Sequence, residues 1–254
     1  MIQEVIKIAE QAGQAILEIY NKDFSIEYKD DKSPLTEADK VSNQIIVDAL
    51  KQLTPEIPII SEENKLIDYS ERKNWIKCWV VDPIDGTKEF IKKNGEFTVN
   101  IALIENGEPI LSVLSVPAQN KVFYAEKGCG SFVIENGNVK IIKINDSITD
   151  TIRIVGSRSH QTPELLAYVE EQKLKYKNVE FVAAGSSLKF CLIAENKADV
   201  YPRLGPTMEW DTAAGQLIAT EAGAEVLVWE TKQVLNYNRE NLLNPYFVVQ
   251  PKGF

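Results

Sequence analysis

The sequence predicts a chain of mixed α and β structure in two parts. An α+β part spans residues 1–147, with two helices before a mostly antiparallel sheet, and an α/β part spans residues 148–254. Three observations predict it. Apolar residues recur at helical spacing twice before residue 54. Short alternating strands separated by Gly and Asn turns follow between residues 97 and 144. From residue 151 onward strands and helices take turns, the pattern of an α/β unit. A chain of 254 residues is long enough for one large domain or two modest ones.

The elements follow in order. In residues 2–20, Ile2, Val5, Ile6, Ala9, Ala12, Ile16, Ile19 and Tyr20 form one apolar stripe, which predicts a packing helix. Residues 29–35 are polar and turn-rich and predict a loop. Thr36 reads as an N-cap, with Glu37 and Asp39 in the first turn of a helix that continues through Val41, Ile45, Ile46, Leu50 and Leu53. Taken alone, Asp39 is a first-turn acid favoured by the helix dipole. Residues 57–61 predict a short strand ending in Glu62, Glu63 and Asn64. Residues 78–81 predict a buried strand that stops at Asp82, because Pro83 has no N–H to offer a ladder. An antiparallel meander is expected from 97–104, 110–116, 121–126, 131–134 and 139–144. Beyond it come strands at 151–155, 179–183, 198–201 and 225–229, and helices at 163–174, 187–195 and 209–221, the last stopped by Gly223.

Composition excludes several functions. Hydrophobic residues make up 44% and charged residues 26%, ordinary for a globular protein. No window approaches the ~18 apolar residues of a membrane span. Glu4, Glu10 and Glu18 interrupt the first twenty residues, so no signal peptide is expected there. A net charge of −9 argues against nucleic acid as a partner, but leaves room for a small phosphorylated substrate held by a few cations. Cys78, Cys129 and Cys191 are scattered, which predicts reduced thiols in the cytoplasm rather than a disulfide frame or a zinc site. The one histidine, His160, is too few for a His-ligated zinc hydrolase. A Ser-His-Asp triad would need it as base, and no nucleophile-elbow pattern accompanies it. Hydrolytic chemistry here must run on carboxylates, hydroxyls and metal.

The stretch from Trp79 to Phe90 carries that chemistry. Asp82 and Asp85 lie three residues apart at the mouth of a strand and can converge on one hard cation such as Mg²⁺. Gly86 permits close backbone approach, and the amides of Gly86 and Thr87 open a short helix suited to phosphate. A lone pair of acids would be read as an acidic turn. Pro, Gly and Thr in fixed places after an apolar strand shift the balance. Glu62, at a second acidic strand end, is a candidate third carboxylate. The second half adds four polar clusters: 156–160, 185–189, 201–203 and 209–211. Each alone reads as a turn or a capped helix. Together they place Arg158, Lys189 and Arg203 where an α/β unit puts its ligands, and Asp211 where it reaches the metal from across a cleft.

The sequence resembles the lithium-sensitive, magnesium-dependent phosphatase superfamily of inositol monophosphatases. The resemblance rests on Glu62-Glu63, the D-P-I-D-G-T run at 82–87 and the W-D-x-A-A start at 210–214, in that order. Within that superfamily it is most similar to the bacterial 3′(2′),5′-bisphosphate nucleotidases. That finer match rests on Ser33 to Thr36, Asp82 to Phe90, Gly156 to His160, Gly185 to Phe190, and Tyr201 to Arg203 running on to Asp211.

The resemblance implies a layered αβαβα sandwich and two to three Mg²⁺ per active site. Glu62, Asp82 and the Ile84 carbonyl would hold one ion. Asp82, Asp85 and Asp211 would hold a second, and Glu62 with water a looser third. The substrate phosphate would rest on the amides of Gly86 and Thr87, among Glu62, Ile84, Asp85 and Asp211. A water hydrogen-bonded to Glu62 and Thr87 would attack phosphorus in line, with Asp39 orienting Thr87. Lys189 and Arg203, beside Gly185 and Ser186, would clamp a second phosphate. Ser157, Arg158, Ser159 and His160 would face a nucleoside.

The implied reaction is hydrolysis of adenosine 3′,5′-bisphosphate to AMP, and of its sulfated relative, in sulfur assimilation. The alternatives are an inositol or sugar phosphate monophosphatase, or a non-catalytic phosphonucleotide regulator. The expected partner is a small nucleoside bisphosphate, not nucleic acid, with no stable membrane insertion. A homodimer and peripheral attachment at the inner membrane stay open.

Overall fold

Two amphipathic helices begin the chain, as their spacing predicts. The computed structural model describes residues 1–22, 24–28, 34–144, 150–157 and 162–254. α1 (Ile2–Tyr20) buries Val5, Ile6, Ala9, Ala12 and Ile16 along one face. β1 (Ile26–Tyr28) and β2 (Pro34–Thr36) pair antiparallel, so Pro34 and Leu35, expected in a loop, belong to a short strand. Residues 29–33 lie outside the described residues. α2 (Glu37–Leu53) starts at a capping box: the Thr36 N–H and hydroxyl both donate to Asp39 Oδ2, at 2.7 and 2.6 Å.

β3 (Ile59–Ser61) leads, past the single-turn α3 (Tyr69–Arg72), to β4 (Lys77–Asp85), and the two strands pair in parallel. β4 is buried on both faces. Trp79 and Val81 face α1 and α2, and Cys78 and Val80 face the opposite side. The strand does not stop at Asp82. Its pairing lapses over Pro83 and Ile84, then resumes where Asp85 meets Thr98. The missing N–H of Pro83 accounts for the lapse, but a bulge absorbs it instead of ending the strand. Ser42 of α2 donates to the Pro83 carbonyl at 2.8 Å and pins the bulge. α4 (Thr87–Ile91) follows directly, anchored by Phe90, which packs edge-on to Phe97 at 5.2 Å and against Tyr20 and Phe24. Full burial of a Phe contributes ~1.5–3 kcal/mol, enough to fix the start of so short a helix.

The expected meander follows. β5 (Thr98–Glu105), β6 (Glu108–Val116), β7 (Lys121–Glu126), β8 (Gly130–Glu135) and β9 (Asn138–Ile142) extend the sheet in sequence order, β3 to β9. Asn106, Asn120 and Asn136 take the left-handed conformation that its turns need.

Beyond the meander, β10 (Thr151–Gly156), α5 (Pro163–Lys173) and β11 (Asn178–Ala183) form a parallel crossover unit. α6 (Leu188–Ala194) and α7 (Glu209–Ala222) flank β12 (Tyr201–Arg203). β12 sits later than the strand expected at 198–201; only Val200 of its lead-in bridges β10, at Ile154. β13 (Ala224–Val228) and β14 (Phe247–Pro251) complete an antiparallel three-strand group in the order β12-β14-β13. Through the Ile154–Val200 bridge the two groups make a second sheet.

The result is the expected αβαβα layering. α1 and α2 cover one face of the large sheet. α6 and α7 fill the space between its other face and the second sheet, in one apolar cluster running from Ile60 to Val249. α5 covers the outer face of the second sheet through Tyr168 and Val169. Among the described residues, no helix is long and apolar enough to cross a membrane.

Candidate metal and phosphate site

Parallel pairing of β3 and β4 brings two acidic strand ends together. The Glu62 N–H donates to the Val81 carbonyl, one residue before Asp82. The bulge then swings Asp85 to the same place, and the first turn of α7 delivers Asp211 from the opposite side. Carboxylate oxygens of Asp82, Asp85 and Asp211 all lie within 4.8 Å of one another. Glu62 is not in that triplet, yet its charge acts on both Asp82 and Asp211. Burial, and then the neighbouring Glu62, Asp85 and Asp211, push Asp82 well above the usual carboxylate range. Burial and then Asp85 push Asp211 up to about 8.

Acids crowded like this repel one another unless protons or a cation join them, and one atom tests the fit to a cation. Asp82 is 1% exposed. Its Oδ1 accepts the Ile84 N–H at 3.0 Å, and Oδ2 is buried with no hydrogen-bond partner. A buried carboxylate oxygen left unmatched suits a metal ligand. The donor set is all oxygen, which favours a hard cation such as Mg²⁺.

Beside the acids, Gly86 holds φ +90° at the head of α4. A Cβ there would come within 3.1 Å of both the Glu96 carbonyl and Ser186, so the tight fold of this corner requires glycine. Thr87 Oγ1 donates to Asp39 Oδ1 at 3.2 Å. Asp39 is the first-turn acid its position predicts, and it also caps the helix and accepts from Thr87. Thr36 fixes one of its oxygens and Thr87 uses the other.

The cationic side comes from β12 and α6. Lys189 and Arg203 line one cleft with Asp85, Gly86, Ser157, Gly185, Ser186 and Asp211. Lys189 is 5% exposed, donates to the Ser186 carbonyl and lies 5.5 Å from the Tyr201 ring. Burial draws its ammonium down to about 8, with Asp85 holding it up against Arg203. Arg203 Nη2 donates to the Pro206 carbonyl, and its Nε is buried without a partner. Arg158, Ser159 and His160 lie outside the described residues. Gly185 gives its N–H to Glu96, and the Ser186 hydroxyl donates to Asp85 Oδ2 at 2.8 Å.

Sequence reasoning overlooks Glu96, Thr98 and Asn100. Thr98 and Asn100 carry the one signal that could reveal them. They are polar residues two apart on one face of an otherwise apolar strand.

A model of the inositol monophosphatase family matches residues 1–251. The 3′(2′),5′-bisphosphate nucleotidase CysQ of Salmonella typhimurium is 45% identical, over 98% of this chain and 99% of that protein. The protein of the same name from Escherichia coli K12 is 44% identical, again over 98% and 99%. The crystal structure of CysQ from Bacteroides thetaiotaomicron superposes with a TM-score of 0.88 at 43% identity, covering 100% of this chain and 97% of that one. An IMPase of Thermotoga maritima has a TM-score of 0.77 at 26% identity, covering 96% and 89%.

Proposed function

The chain belongs to the inositol monophosphatase family, and on that premise we propose that it is a Mg²⁺-dependent 3′(2′),5′-bisphosphate nucleotidase, releasing phosphate from adenosine 3′,5′-bisphosphate. The buried, unpartnered Oδ2 of Asp82 within the Asp82–Asp85–Asp211 cluster is the observation that carries the metal half of this reading. The nucleotidase half is supported by near-full-length identity to the two CysQ proteins.

On this reading Asp82, Asp85 and Asp211 would hold one Mg²⁺, and Glu62, Asp82 and the Ile84 carbonyl would hold another. A further, looser ion would sit at Glu62. Bound Mg²⁺ supplies charge neutralisation and makes water acidic enough to attack near neutral pH. Everything else falls to the chain. The Thr87 hydroxyl donates to Asp39 Oδ1, with the Ile84 carbonyl also in reach, so Oγ1 would accept a hydrogen bond from the attacking water and orient it. Glu62 would take the one proton the water gives up as it attacks. The amides of Gly86 and Thr87 receive the scissile phosphate, which needs positioning more than covalent help. Lys189 and Arg203 take the phosphate that is not cleaved, with Ser157 and Gly185 alongside. Arg158, Ser159 and His160 would face the nucleoside. The free thiols of Cys78, Cys129 and Cys191 support a cytoplasmic setting.

The test is phosphate release from adenosine 3′,5′-bisphosphate, its sulfated relative and inositol monophosphate, with and without Mg²⁺ and Li⁺. The expected result is Mg²⁺-dependent turnover, inhibited by Li⁺, with the highest kcat/KM on a nucleoside bisphosphate. A preference for inositol monophosphate would make the chain a sugar phosphatase. Tight binding without phosphate release would make it a regulator.

A further inference from the structure

Asp85 does not stand alone in the cluster; a run of hydroxyls leads to it. Its partner across the sheet is Thr98, and the partner of Asp82 is Asn100. Thr98 and Asn100 are buried, at 0% and 1% exposure. Above them the turn into α6 brings Ser186, held at φ +55°, a conformation unusual for a residue with a side chain, and Ser187. The Ser186 hydroxyl and the Ser187 N–H both donate to Asp85 Oδ2. Thr98 Oγ1 lies 2.7 Å from both Ser186 Oγ and Ser187 Oγ, and Ser187 Oγ lies 2.8 Å from Asn100 Oδ1, as donor to it while the amide faces that way.

Counting protons gives this run a direction. As a metal ligand Asp85 is a carboxylate and can only accept. Ser186 therefore spends its one proton on Asp85 and accepts from Thr98. Thr98 has then used its proton and accepts from Ser187. Ser187 has none left for Asn100, so Asn100 must give and not take. Its Nδ2, buried and otherwise without a partner, supplies that proton when the amide turns to face Ser187. The order Asn100 to Ser187 to Thr98 to Ser186 to Asp85 then satisfies every hydroxyl.

We propose that Asn100, Ser187, Thr98 and Ser186 are positioning residues for the metal site, acting through Asp85, and that the Ser186 hydroxyl serves the metal and not the substrate. Two donors on Oδ2 fix the rotation of the carboxylate and leave Oδ1 as the atom that meets a cation. Both donors come from the turn into α6, and β5 backs one of them through Thr98, so the ligand is set by two elements that meet only in the folded chain. This inference rests on the reading of the acidic cluster as a divalent-cation site, and is independent of which phosphate ester is cleaved.

The experiment measures Mn²⁺ binding to the full chain without substrate, by electron paramagnetic resonance or calorimetry, in Thr98→Val, Thr98→Ser and Ser186→Ala. Thr98→Val keeps the shape but interrupts the run, and Thr98→Ser keeps the hydroxyl. Loss of a group that orients a metal ligand typically weakens binding about 10-fold or more. That loss is expected for Thr98→Val and Ser186→Ala, with Thr98→Ser staying near wild type. At saturating Mg²⁺, Ser186→Ala should leave the KM for adenosine 3′,5′-bisphosphate unchanged.

Unaltered Mn²⁺ affinity in Ser186→Ala, with a raised KM instead, would overturn the proposal and return Ser186 to the substrate. So would a wild-type chain that binds no Mn²⁺. Should Thr98→Val not fold, Ser186→Ala, whose second donor to Asp85 is a backbone N–H, decides alone. A wild type that binds Mn²⁺ but hydrolyses no bisphosphate would sink the proposed activity and leave this inference standing.

Discussion

Asp211 is the carboxylate of the cluster that arrives from the second half of the chain, and its own backbone contact explains its aim. Its Oδ2 accepts the Met208 N–H at 2.8 Å, which fixes the side chain against the first turn of α7. Asp211→Ala should abolish Mg²⁺-dependent turnover to within ~10⁻³ of wild type, the scale expected when a charge-neutralising group is lost. Equilibrium dialysis should show one fewer tightly held ion. A near-normal rate at saturating Mg²⁺ would contradict the ligand assignment. At this scale much was legible in the sequence, because Asp82, Asp85 and Asp211 stand in motifs whose spacing has a chemical reason. Thr98 and Asn100 were harder to see. A polar residue inside an apolar strand signals burial, but names neither the face nor the neighbour it meets.

At the scale of elements, α7 is held in place by a segment that the sequence reads as featureless. Glu209, fully buried beside Asp211, accepts the N–H groups of Asn238 and Arg239 and pairs with Arg239 Nε at 3.1 Å. Arg72, at the end of α3, reaches the same segment: it donates to Asn238 Oδ1 at 2.8 Å and to the carbonyls of Arg239 and Glu240. The stretch after Glu62 and the helix that carries Asp211 are thereby tied through one loop. Arg72→Ala should remove ~2–4 kcal/mol, since several buried acceptors lose a charged donor together. For a chain of this size that is a fall of several degrees in Tm, readable by calorimetry. A Tm equal to wild type would show the clamp to be incidental. Neither α3, four residues long, nor the 236–244 segment has a periodicity that could announce it. β14 went unread for a different reason: its Phe247-Val248-Val249 run is short, and its place between β12 and β13 is set by packing rather than by local pattern.

For the molecule as a whole, stability and metal should be linked through pH. Asp211 has a folded value of about 8 against 3.8 as a free group, and Asp82 is shifted the same way. Buried Glu209 adds to the effect, at about 7 against 4.5. With these values raised, the metal-free folded state binds more protons than the unfolded chain between the two values. Stability must then fall as pH rises from about 4 to 8. Lys189 does not offset this, because its depressed value makes stability rise only between 8 and 10.5. A chain stripped with EDTA should melt lower at pH 8 than at pH 5.5. The gain in Tm on adding Mg²⁺ should be larger at pH 8, because ligand binding stabilises the folded state and the cation replaces protons. Equal gains at both values would argue against proton-for-metal exchange. The helix–meander–alternation order made the α+β and α/β parts readable, and the layering came only with the family resemblance. The apolar cluster between the two sheets, from Ile60 to Val249, was not readable, since contacts between distant segments leave no local trace.

The wide separation of Glu62 and Asp211 along the chain also bears on synthesis. While a ribosome is still making the protein, the first half can emerge and form β3, β4 and the bulge, yet it offers an ion only part of its grip. Closure of so long a loop comes late. The catalyst therefore switches on only after α7 has left the exit tunnel and docked, and a truncated product released early would carry the family's signature run without its hydrolytic capacity.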